Sequence, residues 1–472
     1  MIQRETMTNN AAKTNYGDES PIAAFATTPG NSALTLIRCS GKGAIELASS
    51  IFSSPLTSAQ GNTVIHGWVV SAKKEKIDDV LVSVFRSPKS YTGEDSLDIC
   101  CHGGAAAGKA VMEALKQVGF RDALPGEFTF RAFMNGKLDL TKAESVMELV
   151  SAKTEISRRH AVSRLSGSLY EEIDSIKKTL VNVLAAAEIY LDYSEDEISA
   201  DAEEAEGRLP QKNIALEALT RLKKLSAGWR IERVYQEGIT LVIAGCPNSG
   251  KSSLFNALLK EDRSIVTEIP GTTRDWIEAW VSIEGIPIRL IDTAGLRETG
   301  DSVEKIGVER SRKLLDESDV VLYLIDGARG LTDEDKDLIA NLSKSILVWN
   351  KSDIASPPES FNIGGQIPIC VSAKTGDGLV QLYTAITLEA GINDLQQSDS
   401  STAALGTVRQ KTLVDIACGS LEEALTLSDN DEPLDLIAPL LKDAVSSLGE
   451  ITGEISTVDL LEKMFSNFCV GK

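Results

Sequence analysis

The segment Gly245-Cys-Pro-Asn-Ser-Gly-Lys-Ser252 constrains the fold of this chain more than any other stretch. It completes the pattern G-x-x-x-x-G-K-S, directly after the strand-like TLVIA (240–244) and directly before the helix-like SSLFNALLK (252–260). A strand, a glycine-rich turn and a helix in that order point backbone N–H groups inward and add the positive end of a helix dipole, which makes a cradle for phosphates. In such a loop Lys251 is expected to reach the β- and γ-phosphates, and the Ser252 hydroxyl to ligate Mg²⁺. Around it, residues 239–392 alternate five strand-like runs (ITLVIAG, IRLIDTAG, DVVLYLID, SILVWN and IPICVSA) with helical stretches. That alternation predicts a doubly wound α/β domain.

Three further segments follow the loop in chain order. GTTRD (271–275) offers Thr273 as a second Mg²⁺ ligand. DTAG (292–295) ends a strand, which puts Asp292 near the metal and the Gly295 N–H near the γ-phosphate. NKSD (350–353) resembles the guanine-reading motif of GTPases, in which the carboxylate accepts from guanine N1–H and the exocyclic amine, donors that adenine does not present in that arrangement. SAK (372–374) resembles the loop that supports the base. Together the set specifies GTP. The expected nucleotide contacts are Asn248, Ser249, Gly250, Lys251, Ser252 and Ser253; Thr267, Glu268, Ile269, Pro270, Gly271, Thr272 and Thr273; Asp292, Thr293, Ala294 and Gly295; Asn350, Lys351 and Asp353; and Ser372, Ala373 and Lys374.

Small signalling GTPases carry Gln after DTAG to orient the attacking water. This chain has Leu296 there, and an aliphatic side chain cannot hydrogen-bond water. The nearby polar candidates are Arg297, Glu298 and Glu304. Asn248 reads either as a turn residue beside Pro247 or as a side-chain oxygen for a monovalent cation beside the phosphates. The second reading needs backbone carbonyls from 267–272 as further ligands.

The 472 residues suggest roughly three domains. Residues 1–19 read as a disordered extension, 20–137 as a mixed α/β domain, and 138–235 and 393–472 as helical flanks of the 236–392 domain. The economical arrangement is one helical domain with the nucleotide-binding domain inserted into it. An acidic stretch at 192–206 reads as a solvated loop or helix face. A net charge of −21 argues against a broad basic surface, so a nucleic-acid substrate would need a local patch or a basic partner. Seven scattered cysteines without metal-ligand spacing fit a reduced compartment better than a disulfide framework, and three histidines do not make a histidine-rich metal centre. No apolar run reaches 18 residues and no signal-peptide core opens the chain, so a soluble, cytoplasmic protein without membrane contact is expected. His102, in CHGG, reads as a structural turn residue whose imidazole satisfies a local backbone group.

From about residue 20 to 472 the chain resembles the MnmE (TrmE) family of tRNA-modification GTPases. The resemblance is carried by TTPGNSALTLIRCSG, SYTGEDSLDICCHGG, PGEFTFRAFMNGKLDLTKAE, AGCPNSGKSSLFNAL, VTEIPGTTRD, IDTAGLRETGDSVEKIGVER and GEITGEISTVDLLEKMFSNFCVGK. It implies an N-terminal folate-binding α/β domain that homodimerises, an all-α helical domain, and an inserted Ras-like P-loop G domain. It implies a partner, the FAD- and NADH-using MnmG (GidA). Their joint product would be an aminomethyl-type or carboxymethylaminomethyl group at C5 of the tRNA wobble uridine, with the carbon from a 5-formyl- or 5,10-methylene-tetrahydrofolate. Carried over residue by residue, K⁺ falls on Asn248 with the carbonyls of Thr267, Ile269 and Thr272, and the water-orienting carboxylate falls on Glu304. The folate pocket falls on Arg38, Asp98 and Lys137, with Lys472 nearby. Asp98 departs from the Glu of the family, so its reach toward the pterin changes. The terminal FCVGK formally fits a prenylation pattern but ends poorly for one. It matches the family's Cys-x-Gly-Lys tail, which assigns Cys469 to modification rather than to GTP hydrolysis.

Two other readings remain at this level. A ribosome-assembly GTPase shares GTTRD and the Asn-containing loop but typically appends a basic RNA-binding module, and none is visible here. A non-catalytic module that uses GTP only as a switch would show no K⁺-stimulated turnover.

Overall fold

The computed structural model describes residues 15–28, 30–192, 209–261, 277–292, 314–340, 342, 344–358, 361–363, 365–391 and 403–471. They form two compact units: one contains the segments up to 147, 165–222 and 412–472, the other 148–164 and 223–411.

The first unit holds a six-stranded sheet in the order β3-β4-β5-β2-β1-β6. Its strands are β1 (Ile22–Phe25), β2 (Leu34–Ser40), β3 (Thr63–Val70), β4 (Lys76–Phe85), β5 (Ser96–His102) and β6 (Arg121–Asp122). The period of two is explicit in β4, where Val80, Val82 and Val84 are buried while Leu81 is exposed. The buried face, with Ile37, Cys39, Leu97 and Ile99, packs against the helices Ala44–Ser49 and Ala105–Gln117. β2 and β5 are antiparallel neighbours, and their register sets Arg38 opposite Asp98. His102 is not in a turn. It ends β5, and its Nδ1 lies 2.7 Å from Asp78 Oδ1 while its N–H donates to Asp78 Oδ2 at 2.8 Å.

Of the stretch 1–19, read as disordered, residues 1–14 lie outside the described residues, and 15–19 are anchored in this unit. Asn15–Gly17 is a short 3-10 turn, Tyr16 packs on Phe130 with centroids 5.3 Å apart, and its hydroxyl donates to Pro125 O at 2.8 Å. The Asp18 carbonyl accepts from Arg121 at 2.8 Å and from Arg131 at 3.0 Å. A polar composition suggested disorder, but one aromatic in a tertiary slot outweighs it. That slot is closed from the other end of the chain by the helix Val458–Phe465. Thr457 caps the helix at Leu460 N, and Phe465 meets Phe130 edge-on at 5.5 Å. Burying a side chain such as Phe465 contributes about 2–3 kcal/mol before entropy is counted. The helices Ser168–Asp192 and Leu434–Thr452 pack along one another in this unit, with Lys177 paired to Glu454.

The second unit is built on a sheet ordered β12-β11-β10-β7-β9-β8. Its strands are β7 (Ile239–Gly245), β8 (Ile277–Ile283), β9 (Ile286–Asp292), β10 (Val320–Asp326), β11 (Ser345–Asn350) and β12 (Ile369–Val371). All neighbours are parallel except β8 and β9. The five expected strands are present, and β8 is a sixth. Its signal was in the sequence as Ile277, Ala279, Val281 and Ile283 at a spacing of two. Glu284 and Gly285, at φ +53° and +83°, make the tight turn into β9.

Residues 148–164, helical by sequence, belong to this second unit. Lys153 Nζ lies 3.6 Å over the Trp280 ring of β8, Ile156 touches Gly285, and Ser157 Oγ donates to Tyr235 O at 2.5 Å. A buried ionic network completes the join: Glu232 takes His160 Nδ1 at 2.6 Å and Arg164 Nη1 at 2.8 Å, and Arg164 Nε reaches Glu148 at 2.7 Å.

Candidate functional site

The phosphate loop emerges from the buried central strand β7 and runs into the helix Lys251–Glu261. Gly250, at φ +93°, passes so close to Asn350 that any Cβ would overlap its amide nitrogen. Asn248 is also left-handed, at φ +66°. Lys251 Nζ donates to Gly245 O at 3.0 Å and to Cys246 O at 2.9 Å, which holds the ammonium over the loop. Ser252 Oγ donates to Oδ2 of the fully buried Asp292 at 3.0 Å. A hydroxyl facing a carboxylate is the hard-oxygen donor set that Mg²⁺ takes, so these residues fit that ion. Ser249 is fully buried, and Ser253 lies on the exposed side of the first helical turn.

The base-side segments are bolted to this loop. Asn350 Nδ2 donates to Ser249 O at 2.8 Å, and its Oδ1 accepts from Ala373 N at 3.2 Å. Lys351 Nζ donates to Asn248 O at 2.9 Å and to Asp326 Oδ2 at 2.7 Å. Ser372 Oγ donates to Asp353 Oδ1 at 2.7 Å, which fixes one carboxylate oxygen and leaves Asp353 exposed to an incoming base. Lys374 is exposed on the same loop. The structure therefore brings Asn248, Ser249, Gly250, Lys251, Ser252, Asp292, Asn350, Lys351, Asp353, Ser372 and Ala373 into one constellation. Sequence reading missed Asp326, which closes β10 as the last residue of YLID, and Asp335, which holds Cys246.

Thr267, Glu268, Ile269, Pro270, Gly271, Thr272, Thr273, Thr293, Ala294, Gly295, Arg297 and Glu304 lie outside the described residues, as does Lys472. Of the four expected K⁺ ligands only Asn248 is described.

The first unit gathers the residues expected at a folate pocket differently. Arg38 and Asp98 face each other across β2 and β5, with Nε–Oδ1 at 3.0 Å and Nη2–Oδ2 at 3.3 Å. The guanidinium lies 5.7 Å from the Tyr91 ring centroid, and the Tyr91 hydroxyl lies 2.9 Å from Thr129 Oγ1. Burial raises the Tyr91 pKa even though Thr129 and Arg38 work against it. Lys137 donates to Pro88 O at 3.0 Å. The tail reaches the same sheet: Gly126 N donates to Cys469 O at 3.3 Å, and an ideal Cβ on Gly471 (φ +93°) would lie 2.5 Å from Phe25 O. The tail thus lies against β1, the strand paired with the one that carries Arg38. The Cys469 side chain is exposed.

The loop, the buried strand-end aspartate and the Asn-Lys-x-Asp segment on a largely parallel sheet define a Ras-like P-loop G domain. A family model described as the MnmE helical domain matches residues 140–469, and one described as the GTP-binding protein TrmE N-terminus matches 21–137. The tRNA modification GTPase MnmE of Treponema denticola is 44% identical over 98% of this chain and 99% of its own length. Its counterpart in Carboxydothermus hydrogenoformans is 40% identical over 96% of this chain and 100% of its own, and that of Borrelia recurrentis 41% over 97% and 99%. This chain belongs to the MnmE (TrmE) family of tRNA modification GTPases.

Proposed function

We propose that this protein hydrolyses GTP to GDP and phosphate in order to drive modification of the tRNA wobble uridine. The observation that carries the first half is the joined constellation of Lys251, Ser252 and Asp292 with Asn350, Asp353 and Ser372. Family membership over nearly the whole length supports tRNA modification as the second. In this reading Lys251 leaves the two loop carbonyls for the β- and γ-phosphates. Asp353 accepts from guanine while Ser372 holds its other face. Ser252 and Thr273 hold Mg²⁺, which supplies charge neutralisation at the phosphates. Asn248 with Thr267, Ile269 and Thr272 holds K⁺, and Glu304, with Arg297 beside it, orients the attacking water.

The wider reading follows the family. The protein works as a homodimer with MnmG (GidA), in the cytoplasm, on tRNA. A tetrahydrofolate bound near Arg38, Asp98, Lys137 and Lys472 supplies the one-carbon unit for (carboxymethyl)aminomethyl groups, and Cys469 serves that modification. The tail lying against β1 supports this, because Gly471, two residues beyond Cys469, abuts Phe25 on the strand paired with the one that carries Arg38. Mass spectrometry of wobble uridines from cells lacking the protein tests the process: the C5 substituent is expected to disappear, and unchanged nucleosides would refute the assignment.

A further inference from the structure

Asp335 lies outside every motif named above, yet it is 3% exposed and fully engaged. Its Oδ2 accepts from Thr332 N at 2.9 Å and from Thr332 Oγ1 at 2.7 Å, closing a capping box on the helix Asp333–Ile339. Its Oδ1 accepts from the Tyr323 hydroxyl at 2.8 Å and from the Cys246 thiol at 3.0 Å. A helix cap needs only the first pair. The second pair reaches into the phosphate loop, at the residue following Gly245.

Cys246 has an unusual setting. Gly245, at φ +141° and with no room for a Cβ beside Leu324 O, ends β7 and turns the chain into the loop at Cys246. The Cys246 carbonyl accepts from Lys251 Nζ at 2.9 Å. A side-chain tether on Cys246 therefore fixes the backbone of the phosphate loop at its first residue beyond β7. Tyr323 braces the same carboxylate oxygen from β10, where it pairs in register with Ala244 of β7. Burial works to raise the Asp335 pKa, but the hydrogen bonds from Cys246, Thr332 and Tyr323 outweigh it and hold the group below the usual carboxylate range. The acceptor is thus ionised and bonds strongly at neutral pH.

We infer that Asp335 is a positioning residue for phosphate binding, acting through the Cys246 thiol on the loop that carries Lys251. The inference rests on the nucleotide-binding reading above and extends it to a residue that touches no phosphate. Removing the tether should weaken nucleotide affinity, whereas removing only the cap should weaken the helix.

The test is a titration of the full-length protein with a fluorescent GDP analogue, alongside thermal unfolding of each variant. Cys246→Ala is expected to weaken binding about fivefold at little cost in Tm, and Cys246→Ser, which restores a donor, to recover it to within about twofold. Thr332→Ala is expected to lower Tm with binding unchanged. Cys246→Ala binding as tightly as the parent, or Thr332→Ala weakening binding as much as Cys246→Ala, would overturn the inference while the GTPase reading stands. A parent protein that does not bind the analogue at all would overturn both.

Discussion

Gly250 illustrates how one residue can be fixed by two demands at once. The loop needs a left-handed backbone there, and the Asn350 amide occupies the space a Cβ would fill. Gly250→Ala is therefore expected to displace Asn350 from Ser249 O and to weaken nucleotide binding by about a hundredfold, as measured by analogue titration. Cys101 is governed by burial. Its removal from water first, then Asp78 and Cys100, push the thiol from 9.0 up to about 11. The folded chain keeps a proton that the unfolded chain releases, so this contribution to stability is complete below pH 9 and is lost as pH rises through about 11. Denaturant unfolding across that range should show the loss, and Cys101→Ala should flatten that part of the profile. Arg38 and Asp98 were legible in the sequence as separate candidates, but their mutual salt bridge was not, because it depends on a strand register that no local pattern encodes.

The phosphate loop was legible because its chemistry is local: strand, glycines, lysine and hydroxyl are contiguous, so spacing alone defines them. The strand β8 was overlooked although it alternates cleanly, since its antiparallel turn at Glu284–Gly285 breaks the rhythm of parallel units. The segment 148–164 shows the opposite limit. Its periodicity gave helices correctly, but what those helices pack on is set by Trp280, Tyr235 and Glu232 far along the chain. The helix Val458–Phe465 buries Leu461 and Phe465 on one side and was expected from its apolar spacing. Phe465→Ala removes a fully buried ring and should cost the first unit about 3–5 kcal/mol in denaturant unfolding.

For the molecule as a whole, the proposal makes hydrolysis depend on a small cation instead of a separate activating protein. Turnover of GTP is expected to be much faster in K⁺ than in Na⁺ at equal ionic strength, and equal rates would remove Asn248 from its role. Glu304→Ala should retain nucleotide affinity and lose turnover in the same assay. The three-domain organisation read from length and hydrophobic periodicity follows the order of the chain, whereas compactness groups residues by contact. That is why stretches of helical sequence fall into the unit that carries the nucleotide loop.

The aromatic slot around Phe130 has a consequence for the order in which the protein is made. Tyr16 and Phe130 leave the ribosome well before Phe465 and Phe468, which lie far along the chain. The sheet of the first unit can form during synthesis, yet its slot stays open, with Phe130 and Phe133 uncovered, until the helix Val458–Phe465 emerges. A ribosome that stalls before Val458 releases a chain that already carries the nucleotide loop but whose first unit displays bare aromatic surface. Bare aromatic surface of that kind invites aggregation, so the helix Val458–Phe465 protects the first unit as well as stabilising it.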